Sequence, residues 1–171
     1  MDKDMRLVQP VAQEGGCSER KITVPYFWKG GATGSEHDWM EPMNWFNRHV
    51  PGWFDKVIIP SDTDGRCFYP VIDLFVNDIA ELVIEKGARL VISRLGKLTI
   101  DGLAKKRVGI LNYGELIIKG ELTINRTNYS NVRNNGLIHN AGSIAFDQPM
   151  KKGLVQREGG RFENFGETLF F

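Results

Sequence analysis

With 171 residues, 42% of them hydrophobic, the chain has apolar mass for one packed domain with a short appended segment, which argues against a multi-domain enzyme. Lys and Arg number 22 against 21 Asp and Glu, with no long block of either sign, so charge gives no reason to expect nucleic acid or an anionic membrane as partner. Nineteen glycines, without a matching rise in proline, exceed the usual share of roughly 7% and point to backbone positions that need left-handed or tightly turned geometry.

Residues 1–23 are polar and aperiodic, with Gly15-Gly16, and read as a flexible N-terminal arm. They lack the uninterrupted apolar core of a signal peptide, so either the chain is not exported or an export signal has been removed. No run of 18 apolar residues occurs, and no membrane insertion is expected. Cys17 and Cys67 allow one disulfide at most and leave the compartment open.

Residues 24–60 hold Trp28, Trp39, Trp45 and Trp53 within 26 positions, spaced by Gly, Asn, Asp and Pro. Large rings on turns suit the covering of one end of a core, so this segment reads as a Trp-rich cap leading into a first strand. From Val57 onward, short β-branched runs follow one another, among them Val57-Ile58-Ile59, Leu82-Val83-Ile84, Leu90-Val91-Ile92, Leu98-Thr99-Ile100, Leu116-Ile117-Ile118, Leu122-Thr123-Ile124 and Ser143-Ile144-Ala145-Phe146. Each is too short for a helix.

The glycines set the phase of these runs. Gly96, Gly114, Gly120, Gly136, Gly142, Gly153, Gly160 and Gly166 precede by two positions Leu98, Leu116, Leu122, Ile138, Ile144, Val155, Phe162 and Thr168, seven of which are apolar. The residue between is usually polar (Lys97, Glu115, Glu121, Ser143, Arg161, Glu167), which is the two-residue alternation of a strand with one wet face. Asn-x-Gly recurs at Asn112, Asn140 and Asn164, 28 and 24 residues apart, lengths that fit one solenoid turn each. Stacked amides would then form a structural ladder. The pattern predicts an all-β chain folded as a right-handed parallel β-helix of about four to five coils over residues 61–171. A β-sandwich is the alternative, and a leucine-rich repeat fits less well because the constant offset is measured from Gly.

The series Trp28-Lys29-Gly30, Asp38-Trp39, Asn44-Trp45, Val50-Pro51-Gly52 and Asp55-Lys56-Val57-Ile58-Ile59-Pro60 is followed by Pro70-Val71-Ile72 and by Leu82 to Ile92. Over residues 27–171 this resembles the cap and first coils of bacterial surface β-helix repeats of the adhesin and autotransporter-passenger type, found in large secreted proteins of Bacteroidetes. The resemblance implies an extracellular or cell-surface location, although this sequence shows neither an export signal nor a sorting domain, and a cytoplasmic location is the alternative. It implies no shared chemistry.

Candidate sites are few. Asp62-Thr63-Asp64-Gly65 resembles the start of a calcium loop but lacks its remaining ligands and reads as a turn. His37, Asp38 and His49 have no further ligand at zinc spacing, so neither metal nor cofactor is expected. Asp101, Lys119, Arg126, Arg133, His139 and Asp147 are the polar positions that would supply acid–base chemistry if the coils gathered them on one face. No catalytic residue is assigned. Phe162, Phe165, Phe170 and Phe171 are apolar residues on the last coil. Phe165, Phe170 and Phe171 are the binding candidates, either as a plug or as a dock for a partner or a second copy. The functional expectation is a non-enzymatic binding solenoid, an adhesion or assembly component with a protein or glycan partner. The alternatives are a carbohydrate-cleaving enzyme and a cytoplasmic partner-binding protein such as an immunity protein.

Overall fold

A four-residue strand that alternates apolar and polar side chains buries too little surface to stand alone, whereas copies stacked one above another bury a continuous core. The computed structural model, which describes residues 24–62, 65–102, 108–125, 131–147 and 153–171, shows this arrangement. Its strands are β1 (Tyr26–Phe27), β2 (Lys56–Ile59), β3 (Val71–Ile72), β4 (Glu81–Ile84), β5 (Arg89–Ile92), β6 (Lys97–Asp101), β7 (Ile110–Asn112) and β8 (Glu115–Ile118). They continue with β9 (Glu121–Asn125), β10 (Val132–Asn134), β11 (Leu137–Asn140), β12 (Ser143–Phe146), β13 (Leu154–Gln156), β14 (Arg161–Asn164) and β15 (Glu167–Phe170).

The strands form three sheets: a first in the order β1-β2-β4-β7-β10-β13, a second β14-β11-β8-β5-β3 and a third β15-β12-β9-β6. Among the described residues every pairing between these strands is parallel, and an isolated antiparallel bridge joins Trp28 to Trp45 in the N-terminal segment. Four complete coils, each visiting the three sheets in turn, rest on a partial coil made by β2, β3 and the bridges of Phe75 to Lys97 and Ile79 to Ile100. The chain is therefore a parallel β-solenoid. Parallel ladders remove the sandwich alternative, whose hairpins would pair antiparallel.

Inward residues stack in rows. Leu90, Leu116 and Ile138 share one register position, and Ile100, Ile124 and Phe146 share another. All six are buried. Burying each such side chain contributes about 1.5–3 kcal/mol, so the column is held together mainly by its aliphatic rows. The Gly-x-apolar rule holds from Gly96 to Gly142, but Val155 departs from it: it pairs with Arg133 in an outward row, and its neighbour Leu154 takes the inward place.

The repeat glycines have a different reason from the one their number suggests. Positive φ occurs at glycines such as Gly87 and Gly159, but not at the stacked series Gly96, Gly120, Gly142 and Gly166. There the corner backbone of one coil presses on the next: a Cβ on Gly120 would lie 2.2 Å from the Gly96 carbonyl oxygen, and one on Gly142 would lie 2.2 Å from that of Gly120. Close approach, rather than left-handed geometry, fixes these residues.

The asparagine ladder is likewise two ladders. Asn112 lies at the corner between the first and second sheets and stacks under Asn134, which the sequence reading passed over, and then Gln156. Asn140 and Asn164 stack at the next corner, between the second and third sheets. The coil step between Asn112 and Asn134 is 22 residues, so the spacing from Asn112 to Asn140 overshoots one coil by a strand and reaches the following corner. Within each ladder the amide Nδ2 donates to the Oδ1 of the coil above, at 2.8 Å from Asn112 to Asn134 and 2.7 Å from Asn140 to Asn164. Asn134 and Asn140 also accept from the backbone N–H of Gly136 and Gly142, which ties each corner to its own coil.

At the N-terminal end, Trp28, Trp39 and Trp45 are buried and meet edge to face, with centroids 5.0 Å and 4.8 Å apart. Asn44, the wholly buried last residue of the 3-10 turn Pro42–Asn44, donates to the carbonyls of Ser35 and Asp38 and accepts from Ala32 N–H, so one amide ties three points of the cap together. Trp53 does not belong to this cap. It sits in the turn that Asp55 closes on Gly52 and is 70% exposed, because a turn bonded back on itself holds its central side chains away from the core.

Candidate functional site

The outer face of the second sheet carries two rows. Arg89, Glu115, Leu137 and Arg161 occupy one register position; Val71, Val91, Ile117, His139 and Glu163 occupy the next. Half-buried apolar residues thus stand where a solvated strand face would be polar. Beside them runs the corner with the first sheet, where Gly87, Gly114, Gly136 and Gly159 contribute no side chain. Tyr113 stands out from this corner, 46% exposed.

The result is a groove of about 710 Å³ along the solenoid axis, crossing all five strands of the second sheet. Its floor includes Val71, Val91 and Leu137; Tyr69 and Tyr113 flank it, and His37 closes it at the cap end. Arg89 pairs with Glu115 at 2.7 Å, and Arg161 pairs with Glu163. His37 donates from Nδ1 to the Tyr69 carbonyl at 2.8 Å, which leaves Nε2 as an acceptor on an exposed ring. The Tyr69 hydroxyl accepts from Asp62 N–H at 3.0 Å. The array can bind a long ligand through apolar contact and neutral hydrogen bonding on rigid strand positions.

At the far end of the same face, His139 Nδ1 lies 3.3 Å from Glu163 and its ring packs on Phe165 at 5.2 Å. The His139 hydrogen bond, with help from the Arg161 guanidinium, holds the Glu163 carboxyl below its ordinary range against a smaller opposing effect of desolvation. A depressed carboxyl pKa gives stability that is present above the unfolded value of about 4.3 and is lost as pH falls through the folded value. The melting temperature of Glu163→Gln is therefore expected to lie below that of the parent at pH 6, with the gap closing below about pH 4. Thermal melts of both proteins from pH 3 to pH 6 check this.

The other predicted positions are dispersed. Asp101 ends β6 and Asp147 follows β12 on the third sheet, Arg133 faces out from the first, His139 from the second, and Lys119 lies at the corner between β8 and β9. Arg126 lies outside the described residues, as do Thr63, Asp64 and Cys17. The coils thus spread these groups over three faces, because successive corners turn equivalent outward positions away from one another. Asp62 accepts from the Cys67 N–H, and Gly65 has φ of 72°, so the described part of that loop is a turn. His37 and His49 each engage a separate backbone carbonyl. Among the described residues, no three His, Cys, Asp or Glu side chains cluster to hold a metal ion. Among the same residues, no helix is long and apolar enough to cross a membrane.

Phe170 stacks on Phe146 with centroids 5.5 Å apart and extends the buried row of Ile100 and Ile124, while Phe171 donates its N–H to the Phe146 carbonyl. Phe165 and Phe171 are the most exposed of the three, at 75% and 72%. None of them lines the groove. The sequence reading did not join the groove residues into one site, yet a signal was there. Leu90-Val91-Ile92 and Gly136-Leu137-Ile138 place apolar residues at outward positions, and such a break in alternation marks an outer face with something to bind. No family model matches the chain, and neither the curated proteins nor the solved structures include a significant match to it.

Proposed function

We propose that this chain is a non-catalytic binding solenoid, an adhesion or assembly component that holds another macromolecule along the outer face of its second sheet. The observation that carries this reading is the axial groove, which lines up apolar residues and ion-paired charges from successive coils along one face. Strand positions hold such side chains more rigidly than loops do, which lowers the ordering cost of binding a long partner. The resemblance to surface β-helix repeats supports the same reading and adds an extracellular location to it.

Cys67 lines the groove and is exposed, which supplies a reporter. An environment-sensitive dye on Cys67, in full-length chain carrying Cys17→Ser, is expected to change its emission when surface and secreted macromolecules from the native cell bind, with the bound material recovered at its original size. Binding that leaves the dye unchanged would place the site elsewhere. Shortening of the bound polymer would replace this reading with the enzymatic one.

A further inference from the structure

We infer that the groove takes an uncharged linear oligosaccharide lying along the solenoid axis, a proposal that rests on the binding reading above and names its ligand class. Three features of the groove carry it.

The first is the backbone. β5, β8 and β11 are paired on both sides by their neighbours in the second sheet, so the strands in the middle of the groove present no open edge. An extended peptide binds best by adding a strand to an open edge, and here its amides would lose water without gaining partners. Sugar hydroxyls need no such edge, because each both donates and accepts and so can meet side chains. The guanidinium of Arg89, the carboxylate of Glu115 and the Nε2 of His37 offer both roles.

The second is charge. Arg89 is matched by Glu115 and Arg161 by Glu163, so the groove presents ion pairs rather than a field of one sign. An acidic polysaccharide would meet arginines already neutralised and a carboxylate between them, which costs affinity. A neutral sugar can accept from the guanidinium and donate to the carboxylate without breaking the pair.

The third is shape and period. Val71, Val91 and Leu137 give an apolar floor, and the Tyr113 ring stands free at the rim to cover the C–H face of a pyranose ring. The five strands of the second sheet are spaced ~4.8 Å apart, so the groove runs for ~19 Å. That strand spacing is close to the advance of one pyranose unit in an extended β-linked chain, so each coil can meet one sugar.

The test is calorimetric titration of the full chain with neutral hexaoses (β-1,4-linked glucose, mannose and xylose, and α-1,4-linked glucose), alongside hexagalacturonate and an uncharged Gly/Ser octapeptide. At least one neutral hexaose is expected to bind, with affinity rising about tenfold or more from its disaccharide to its pentasaccharide and then levelling. Tyr113→Ala and Arg89→Gln are each expected to weaken binding by about tenfold. Both side chains are exposed, so melting temperature should hold, and Leu169→Ala on the third sheet should leave binding unchanged. Failure of every neutral hexaose to bind overturns the ligand class. So does binding of hexagalacturonate or the peptide alone, although sensitivity of that binding to Tyr113→Ala would leave the groove standing as the site. Hexaose binding that ignores both groove substitutions overturns the groove itself.

Discussion

Replacing Leu116 with Asp is expected to unfold the domain at neutral pH, while replacing the adjacent Glu115 with Gln changes its stability by no more than about 1 kcal/mol. Leu116 is completely buried and stacks between Leu90 and Ile138, with no polar partner in its row. Its loss removes about 2–3 kcal/mol of burial, and the new carboxyl must then be held neutral in an apolar column. Raising that carboxyl from about 3.9 to above pH 7 costs about 4 kcal/mol at 1.36 kcal/mol for each unit. Together the two losses are comparable with the 5–15 kcal/mol that typically separates folded from unfolded chains. Glu115 points the other way. Its pair with Arg89 is 2.7 Å long but 41% and 51% exposed, and ion pairs of that kind contribute little. Urea titration of the three proteins at pH 7 measures the contrast. The Asp variant should also regain stability below about pH 4, where its carboxyl is protonated in the unfolded chain too. Equal effects from Leu116→Asp and Glu115→Gln would mean that the inward and outward faces are not as assigned.

The same alternation explains what the sequence disclosed and what it withheld. Leu116, Leu122, Ile138 and Ile144 were legible as core because a polar or small residue and a glycine precede most of them at fixed offsets, and a two-residue period assigns faces without any knowledge of neighbours. Of the short strands of the first sheet, β7 and β10 were missed, and β13 was read one residue out of phase through Gly153 and Val155. They are three residues long, and β10 carries Arg133 between Val132 and Asn134, which gives too little apolar signal to phase. Asn112 was assigned to the wrong ladder for a related reason. Coil lengths vary, with a step of 22 residues at one corner and 24 at the next, so spacing alone cannot say which corner an Asn-x-Gly occupies. Trp53 looked like its three neighbours because composition does not register that a turn closes back on itself. The groove was illegible as a site because it exists only between coils: Tyr69, Arg89, Tyr113, Leu137 and Arg161 belong to five different strands or corners, and parallel stacking alone brings them into one line.

Gly120→Ala tests that stacking at its tightest point, and it is expected to destabilise the domain by about 3 kcal/mol or more, a large effect for one methyl group. The added carbon would lie 2.2 Å from the carbonyl oxygens of both Gly96 and Ser93. A flexible side chain would step aside from such a contact, but these oxygens belong to the backbone of the coil below. The Gly96 oxygen is held besides by the Glu121 N–H at 3.0 Å, and the Gly120 oxygen in turn accepts from Ser143 N–H at 2.8 Å. Relief therefore means lifting one coil from the next, which lengthens those bonds and opens the aliphatic rows on either side. Gly34→Ala is the control. Its φ of 81° makes alanine strained by about 1–2 kcal/mol, yet nothing lies within 4 Å of the added carbon. Chemical denaturation of both variants should rank Gly120→Ala as the more damaging. The reverse order would show that the repeat glycines serve backbone conformation after all, and that the coils are not packed corner on corner.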